Sequence, residues 1–244
     1  MPFYALISLL DTLCCFAFAF LLIIRSHRQS EILSFLVYAV GLWMALPWIA
    51  YMVPDINPLL LARCFYGPAV CTPSLVLLFA LVTLERRIRE PSFYLTLFLG
   101  IGFIALLAHP LFIQGVRQTS EGVWIIPGPV FFAFAAYFAC VGLYAIGLLV
   151  IAYHAHSTAH RNRLKWITAA FLCAGVGGAL YFVSVATGQF LGHHFFMIGF
   201  ALAIGYAVLW RRLYEVELAT RNAASTPNRA SAAGPRTALR PTPA

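Results

Sequence analysis

Charged residues are scarce in this chain of 244 residues. Asp, Glu, Lys and Arg together make up 10% of the sequence, whereas 62% of the residues are hydrophobic. A water-soluble domain carries about 25% charged residues, so the composition excludes a cytosolic enzyme built on a single core. The composition instead predicts a membrane protein whose apolar runs leave no room for a soluble catalytic domain.

Patterns that mark enzymatic chemistry are also missing. The sequence contains no H-E-x-x-H, no G-x-S-x-G, no Walker-type phosphate loop and no C-x-x-C pair. Its one lysine, Lys165, precedes an apolar run and does not lie in the last one, which excludes a retinal Schiff base. We therefore predict no enzymatic activity, no cofactor and no metal.

Seven apolar runs are each long enough to cross a membrane as a helix. About 20 residues at 1.5 Å per residue span a hydrocarbon core of about 30 Å, and a helix satisfies its own backbone hydrogen bonds there. The predicted fold class is therefore all-α, a polytopic bundle of seven transmembrane helices. Pro47, Pro68 and Pro73 are interpreted as helix kinks. The runs cover residues 3–24, 32–53, 64–84, 93–114, 129–153, 166–187 and 190–210.

Lys and Arg are distributed unevenly between the two ends of these runs. Fourteen of them follow runs one, three, five and seven, and only Arg63 and Arg117 lie on the other side. The positive-inside rule then places the N-terminus outside and the C-terminus in the cytoplasm. We attribute the net charge of +8 to anchors that face anionic lipid, and we expect the lipid bilayer and no nucleic acid as a partner. Aromatic residues near the run ends are expected at the membrane interfaces, namely Trp48, Tyr51, Trp124, Trp166 and Trp210.

The chain divides into a membrane domain, residues 1–218, and a tail, residues 219–244. The tail consists largely of Ala, Ser, Thr, Pro, Arg and Asn without apolar periodicity, which predicts disorder. The residues just before it predict a short amphipathic extension of the seventh run. Because no kinase or other output domain follows in the sequence, we expect any signal to leave through another polypeptide. The candidate output residues in the extension are Arg211, Arg212, Leu213 and Tyr214.

The few polar groups within the apolar runs are the candidate functional residues. Asp11 lies about 12 Å from the outer end of the first run at helical rise, and a charge at that depth costs a few kcal/mol unless it faces the bundle interior or a wet cavity. The topology brings His109, His193 and His194 to the same outer half. A carboxylate and imidazoles suit a metal, a haem or a protonatable ligand, so these four residues are the candidate ligand-binding set. The spacing leaves open that Asp11 is protonated or hydrogen-bonded to a neighbouring helix and that the histidines are interfacial.

Several stretches resemble the N-terminal seven-transmembrane region of bacterial histidine kinases. They are residues 124–129 before run five, 161–166 leading into 174–178 in run six, and above all 205–216, where a Gly-Tyr-Ala-aliphatic stretch precedes Arg-Arg-Leu. The second run, with Trp43 and Trp48, and residues 73–79 in the third are also similar. The resemblance implies a sensory input module of a bacterial cytoplasmic membrane, of the kind usually followed by PAS and kinase domains.

The leading hypothesis is a sensor-like seven-helix module that signals through a separate cytoplasmic or membrane partner protein. We expect a small or lipidic ligand to enter from the outer half, to shift the helices and to move residues 211–218, which requires different affinities for two arrangements. The alternative is a non-catalytic accessory or scaffold subunit of a larger membrane complex. A transporter and a haem-binding protein are further alternatives, and the sequence allows a homodimer.

Overall fold

Helices form most of the chain in the computed structural model, and a β-hairpin connects two of them. The structure describes residues 3–24, 28–84, 90–119, 122–155, 158–189, 191–204 and 206. All of these residues belong to one unit, Met1–Ala207, and a second unit, Val208–Ala244, lies outside the described residues. In chain order the elements are α1 (Phe3–Ile23), α2 (Arg28–Met44), α3 (Leu46–Met52), α4 (Pro58–Thr83), α5 (Pro91–Leu106), β1 (Ile113–Thr119), β2 (Gly122–Pro127), α6 (Pro129–Ala155), α7 (Thr158–Thr187) and α8 (His193–Ile204).

Four helices in the described part of the chain are long and apolar enough to cross a membrane. They are α1, α4, α6 and the Leu164–Thr187 part of α7, and α2 with α3 qualifies as a fifth span. Helices α5 and α8 are apolar but shorter. Large apolar side chains face outward, such as Phe98 and Leu143, which are 74% and 69% exposed, as expected where lipid replaces water. The chain is a helical membrane protein, and seven crossings remain a prediction.

The second apolar run forms two helices. Helices α2 and α3 meet at Ala45 and are bent by 45° relative to each other. Pro47 lies in the first turn of α3, where its missing N–H is not needed, whereas further along a helix it would remove a hydrogen bond. The bend therefore coincides with the kink expected at Pro47. Pro68 and Pro73, in contrast, both lie inside the single helix α4.

The fourth apolar run ends earlier than the sequence predicts. A helix is expected over residues 93–114, but α5 ends at Leu106 and β1 begins at Ile113. Pro110 follows His109, and a residue that precedes proline is pushed out of the helical conformation. Two apolar residues beyond it, Phe112 and Ile113, are buried in protein and are both 0% exposed. The fold is mostly helical, as the sequence predicts, and the hairpin formed by residues 113–127 is an addition that the sequence did not predict.

Strands β1 and β2 form an antiparallel hairpin at one end of the helices. Arg117 pairs with Trp124 and Val116 pairs with Ile125. Strand β2 contacts α3, α4, α6 and α7, while β1 contacts α4. Trp124 and Ile125 are both buried although successive side chains point to opposite faces of a strand, so β2 is covered on both faces. We refer to the end of the bundle that carries β1 and β2 as the hairpin end.

Small polar side chains hold α1 against α2. The Ser8 hydroxyl donates a hydrogen bond to the Met44 carbonyl, and the Thr12 hydroxyl donates to the Gly41 carbonyl at 3.4 Å. From the other helix, the Ser34 hydroxyl donates to the Ala19 carbonyl at 2.8 Å. Because lipid tails are as apolar as the side chains, helices in a membrane associate through close contact and hydrogen bonds of this kind.

Asn57 caps the N-terminus of α4 and provides a first test of the fold. Its Oδ1 accepts hydrogen bonds from the backbone N–H groups of Leu59 at 2.9 Å and Leu60 at 3.4 Å. Asn57→Ala should lower the free energy of unfolding by about 1 kcal/mol, because those N–H groups lose a side-chain acceptor. Unfolding of the purified protein in detergent measures the change. Asn57→Asp keeps an acceptor and should stay close to wild type, and an equal loss in both variants would contradict the capping role.

Candidate functional site

The site begins at a buried polar face of α1. Ser8, Asp11, Thr12 and Cys15 are all buried, and spacings of three and four residues place them on one side of the helix. The Asp11 carboxylate is 0% exposed, and the Cys15 thiol lies 4.0 Å from its Oδ1. Helix α1 therefore turns its carboxylate into the protein and away from lipid.

A tight connection between α7 and α8 brings two histidines to the same place. Helix α7 ends at Thr187, and the next residue, Gly188, has a φ of 71° and donates its N–H to the Ser184 carbonyl at 2.7 Å. Glycine adopts this left-handed conformation without steric cost, which is why it commonly ends a helix. Helix α8 then starts directly at His193. His193 and His194 are both 0% exposed.

A hydrogen bond between α1 and α8 lies at the centre of the site. It joins His194 Nδ1 and Asp11 Oδ2, which are 3.0 Å apart. The side chains of the two residues are 1% and 0% exposed, so water screens the contact little and its disruption is costly. The residues are separated by 183 positions in the sequence, and only the tertiary fold brings them together.

Aromatic rings enclose the two imidazoles. Tyr4 lies edge-on to His194, with ring centroids 5.2 Å apart, and stacks on Trp124 at 5.3 Å. Tyr181 lies edge-on to His193 at 5.0 Å, and the two imidazole centroids are 4.4 Å apart. Residues from α1, β2, α7 and α8 thus surround the hydrogen bond between the first and the last described helices.

A second hydrogen bond connects the site to the middle of the bundle. It joins the hydroxyl groups of Tyr66 on α4 and Tyr181 on α7. Trp43 on α2 lies edge-on to Tyr181, with ring centroids 4.7 Å apart. All three side chains are buried. Helices α2, α4 and α7 therefore meet at Tyr181, whose ring also packs against His193.

A small cavity of about 10 Å³ lies among these side chains. This volume is close to the minimum for one water molecule, so the cavity excludes a haem or an organic ligand of ordinary size. A carboxylate and an imidazole that share a hydrogen bond can bind or release a proton, and their contact depends on protonation. The cavity is lined by Tyr4, Trp43, Met44, Leu46, Pro47, Val123, Trp124, Ile125, Tyr181, His193 and His194.

Three of the four candidate ligand-binding residues lie together, and one lies apart. Asp11, His193 and His194 meet as described, whereas His109 is in the turn after α5, is exposed, and accepts a hydrogen bond from the Leu111 N–H at 3.1 Å. Within the described residues, no group of three or more His, Cys, Asp or Glu side chains is arranged to hold a metal ion. The candidate output residues lie outside the described residues, namely Arg211, Arg212, Leu213 and Tyr214.

The aromatic part of the site carries almost no signal in the sequence. Aromatic residues make up 15% of the chain, so Tyr4, Tyr66 and Tyr181 do not stand out. Trp124, expected at a membrane interface, is 2% exposed and packs on Tyr4 inside the protein, so its ring does not face the lipid headgroups, and its depth in the membrane stays a prediction. The usable signal is the helical spacing of the polar residues on α1, which predicts a buried polar face.

A known family matches almost the whole described chain. The family model described as the N-terminal 7TM region of histidine kinase matches residues 7–217, which confirms the resemblance noted in the sequence. The matched range includes Asp11, His193 and His194. No curated protein and no solved structure matches the chain.

Proposed function

The chain belongs to the family of N-terminal seven-transmembrane regions of histidine kinases, and from this premise we propose that it is a sensory input module that acts on a separate partner protein. The family supports a membrane input module. The finer proposal is that a change at the hairpin end alters the contact between α1 and α8, and that the partner responds to this change. We place the module in a bacterial cytoplasmic membrane.

The proposed orientation puts the hairpin end outside the cell. Arg117 lies on β1, and Arg63 of α4 donates a hydrogen bond from Nη2 to the Ile113 carbonyl at 3.4 Å. The two positive side chains assigned to the outer side thus lie at the hairpin end. The other fourteen Lys and Arg residues fall at the opposite ends of the apolar runs or after the last one, which supports a cytoplasmic C-terminus and seven crossings.

The observation that carries the proposal is the buried hydrogen bond between Asp11 and His194. Ionisable residues within a membrane are costly and usually serve function. This pair joins the first helix to α8, after which the chain continues towards residues 211–218. We propose that a proton or a small polar ligand reaching His193 and the pair favours one of two arrangements of α1 and α8. Such a stimulus shifts the equilibrium only by its difference in affinity for the two arrangements.

The proposed output is contact with another protein. The matched region is an input region, and the sequence holds none of the nucleophile, metal or nucleotide motifs that would support catalysis. We propose a cytoplasmic or membrane partner with a histidine kinase type of output, and residues 211–214 as the segment that contacts it. The module acts as a monomer or as a homodimer in this scheme.

A kinase readout tests the sensory proposal. Residues 1–218 are fused to the dimerisation and catalytic domains of a histidine kinase, and autophosphorylation is measured in proteoliposomes. Asp11→Asn keeps the size of the side chain but removes its ability to ionise, and should change the rate by about fivefold or more, the lower end of typical coupling between sites. Asp55→Asn makes the same change at an exposed residue between α3 and α4. It should leave the rate within about twofold of wild type, because exposed substitutions of this kind change energies by about 0.5 kcal/mol or less.

Wild-type autophosphorylation in a correctly folded Asp11→Asn hybrid would reject the sensory role of the pair. If the wild-type chain is then recovered from gentle detergent in a stoichiometric complex with other membrane subunits, the accessory-subunit alternative is favoured.

A further inference from the structure

A second and much larger cavity lies between the helices. It has a volume of about 360 Å³ and is bounded by α2, α4, α6, α7 and α8. Among the lining residues only Trp43 and Thr72 carry polar side-chain atoms, and the Thr72 hydroxyl already donates to the Pro68 carbonyl at 3.1 Å. Water enters a cavity only where it finds two or more polar partners. These walls therefore favour an apolar occupant.

The cavity opens between α6 and α7, near the middle of both helices. Leu143 of α6 and Leu172 of α7 line the cavity and are also exposed at the outer surface. Gly142 and Gly175 contribute no side chain at this opening, and a Cβ atom placed on Gly142 would meet no atom within 4 Å. Because the middle of a spanning helix lies in the hydrocarbon core, the opening leads into lipid and not into water.

The volume corresponds to one hydrocarbon chain. An apolar cavity of about 150 Å³ stays dry and accepts benzene, which has six carbons. In proportion, a cavity of about 360 Å³ holds roughly fourteen carbons. This is enough for one long acyl chain and too little for two. The lining contains no charged side chain, so a polar headgroup has to remain outside.

We infer that the cavity binds the acyl chain of a single-chain membrane lipid, a long-chain fatty acid, which enters from the bilayer between α6 and α7. Trp43 lines both this cavity and the small cavity beside the histidines. Met197, which also lines it, follows His194 by three residues on α8. A bound acyl chain would therefore contact the Trp43 ring, which packs on Tyr181, and helix α8, which carries His194. This inference goes beyond the proposed function, because binding is measured without any signalling readout.

Photolabelling of the full chain in lipid nanodiscs tests this inference. The probe is a long-chain fatty acid with a diazirine near its methyl end, and the adducts are located by mass spectrometry. Val40 of α2 and Val76 of α4 line the cavity and should be labelled in a saturable manner that an unlabelled fatty acid competes away. Phe98, which is 74% exposed, reports unsaturable contact with bulk lipid.

Two matched substitutions on α6 separate the cavity from the lipid-facing surface. Gly142→Leu fills the opening and should reduce labelling of Val40 and Val76 by about tenfold, because the chain loses its volume. Gly147→Leu is on the same helix, where a Cβ also meets no atom within 4 Å, but Gly147 does not line the cavity. It should leave the labelling of Val40 and Val76 unchanged.

Labelling confined to lipid-facing residues such as Phe98 in the wild-type protein would overturn the inference, and so would equal labelling of Val40 in Gly142→Leu and wild type. A two-chain phospholipid that carries the same diazirine and labels Val40 as strongly would overturn the single-chain assignment. If Gly142→Leu does not fold, Gly175→Leu blocks the opening from α7, where the new Cβ would meet Ile146 Cδ1 at an ordinary 3.8 Å.

Discussion

Asp11→Ala should lower the free energy of unfolding by about 1 to 3 kcal/mol, the range for removing one partner of a buried hydrogen bond. The substitution takes away the carboxylate that lies 3.0 Å from His194 Nδ1, while the imidazole stays buried between α1 and α8. Equilibrium unfolding in mixed detergent and SDS measures the loss.

A double-mutant cycle assigns this loss to the pair. Asp11→Ala, His194→Ala and the double variant should show a coupling energy of about 0.5 to 3 kcal/mol, as expected for residues in direct contact. Asp55→Ala removes an exposed carboxylate and should cost less than about 0.5 kcal/mol. A loss in Asp11→Ala no larger than that in Asp55→Ala would show that the contact contributes nothing to stability, whatever its role in signalling.

Gly128→Ala should cost about 3 kcal/mol, the upper end of the usual penalty for added volume in a filled site. Gly128 joins β2 to α6, and its N–H donates to the Phe112 carbonyl at 2.9 Å. A Cβ atom at this position would overlap the backbone carbonyl of Leu111. A backbone carbonyl cannot rotate away as a side chain can, so the turn before β1 or the start of α6 has to move.

The matched control for Gly128→Ala lies on α6, the helix that follows Gly128. Gly147→Ala adds its methyl group in open space and should raise the free energy of unfolding by about 0.5 to 1 kcal/mol, because alanine favours the helix over the unfolded chain. The same detergent titration measures both variants. If Gly128→Ala unfolds at the same detergent composition as the wild type, the junction relaxes without cost. The hairpin is then less firmly held than the contacts indicate.

The main helices follow from apolar length, and their ends follow from local chemistry. Helices α1 and α6 lie close to the runs 3–24 and 129–153. An apolar run of sufficient length is enough to form a helix in an apolar environment. Proline accounts for two departures. Pro47 coincides with the bend between α2 and α3, and Pro110 follows the point where α5 has ended. These effects are local and can be recognised in a sequence.

The hairpin could not be recognised in the same way. Its first residues, including Ile113, continue the apolar run of α5, and hydropathy does not distinguish a side chain that faces lipid from one that faces other helices. Phe112 and Ile113 are completely buried in protein, and their burial depends on where α4 and α6 lie. For the same reason the sequence does not distinguish whether Trp124 faces the membrane interface or the protein interior, since an aromatic residue near the end of a run fits both locations.

The sequence by itself determined that this is an apolar helical membrane protein of the histidine kinase input-region family, and it identified Asp11, His193 and His194 as the polar groups that needed an explanation. Tertiary structure alone decided that Asp11 meets His194, that His109 stays at the surface, and that three aromatic rings, one of them from the hairpin, surround the two imidazoles. The physical reason is that hydropathy and helical periodicity belong to single segments. A hydrogen bond across 183 residues belongs to the arrangement of all the segments at once.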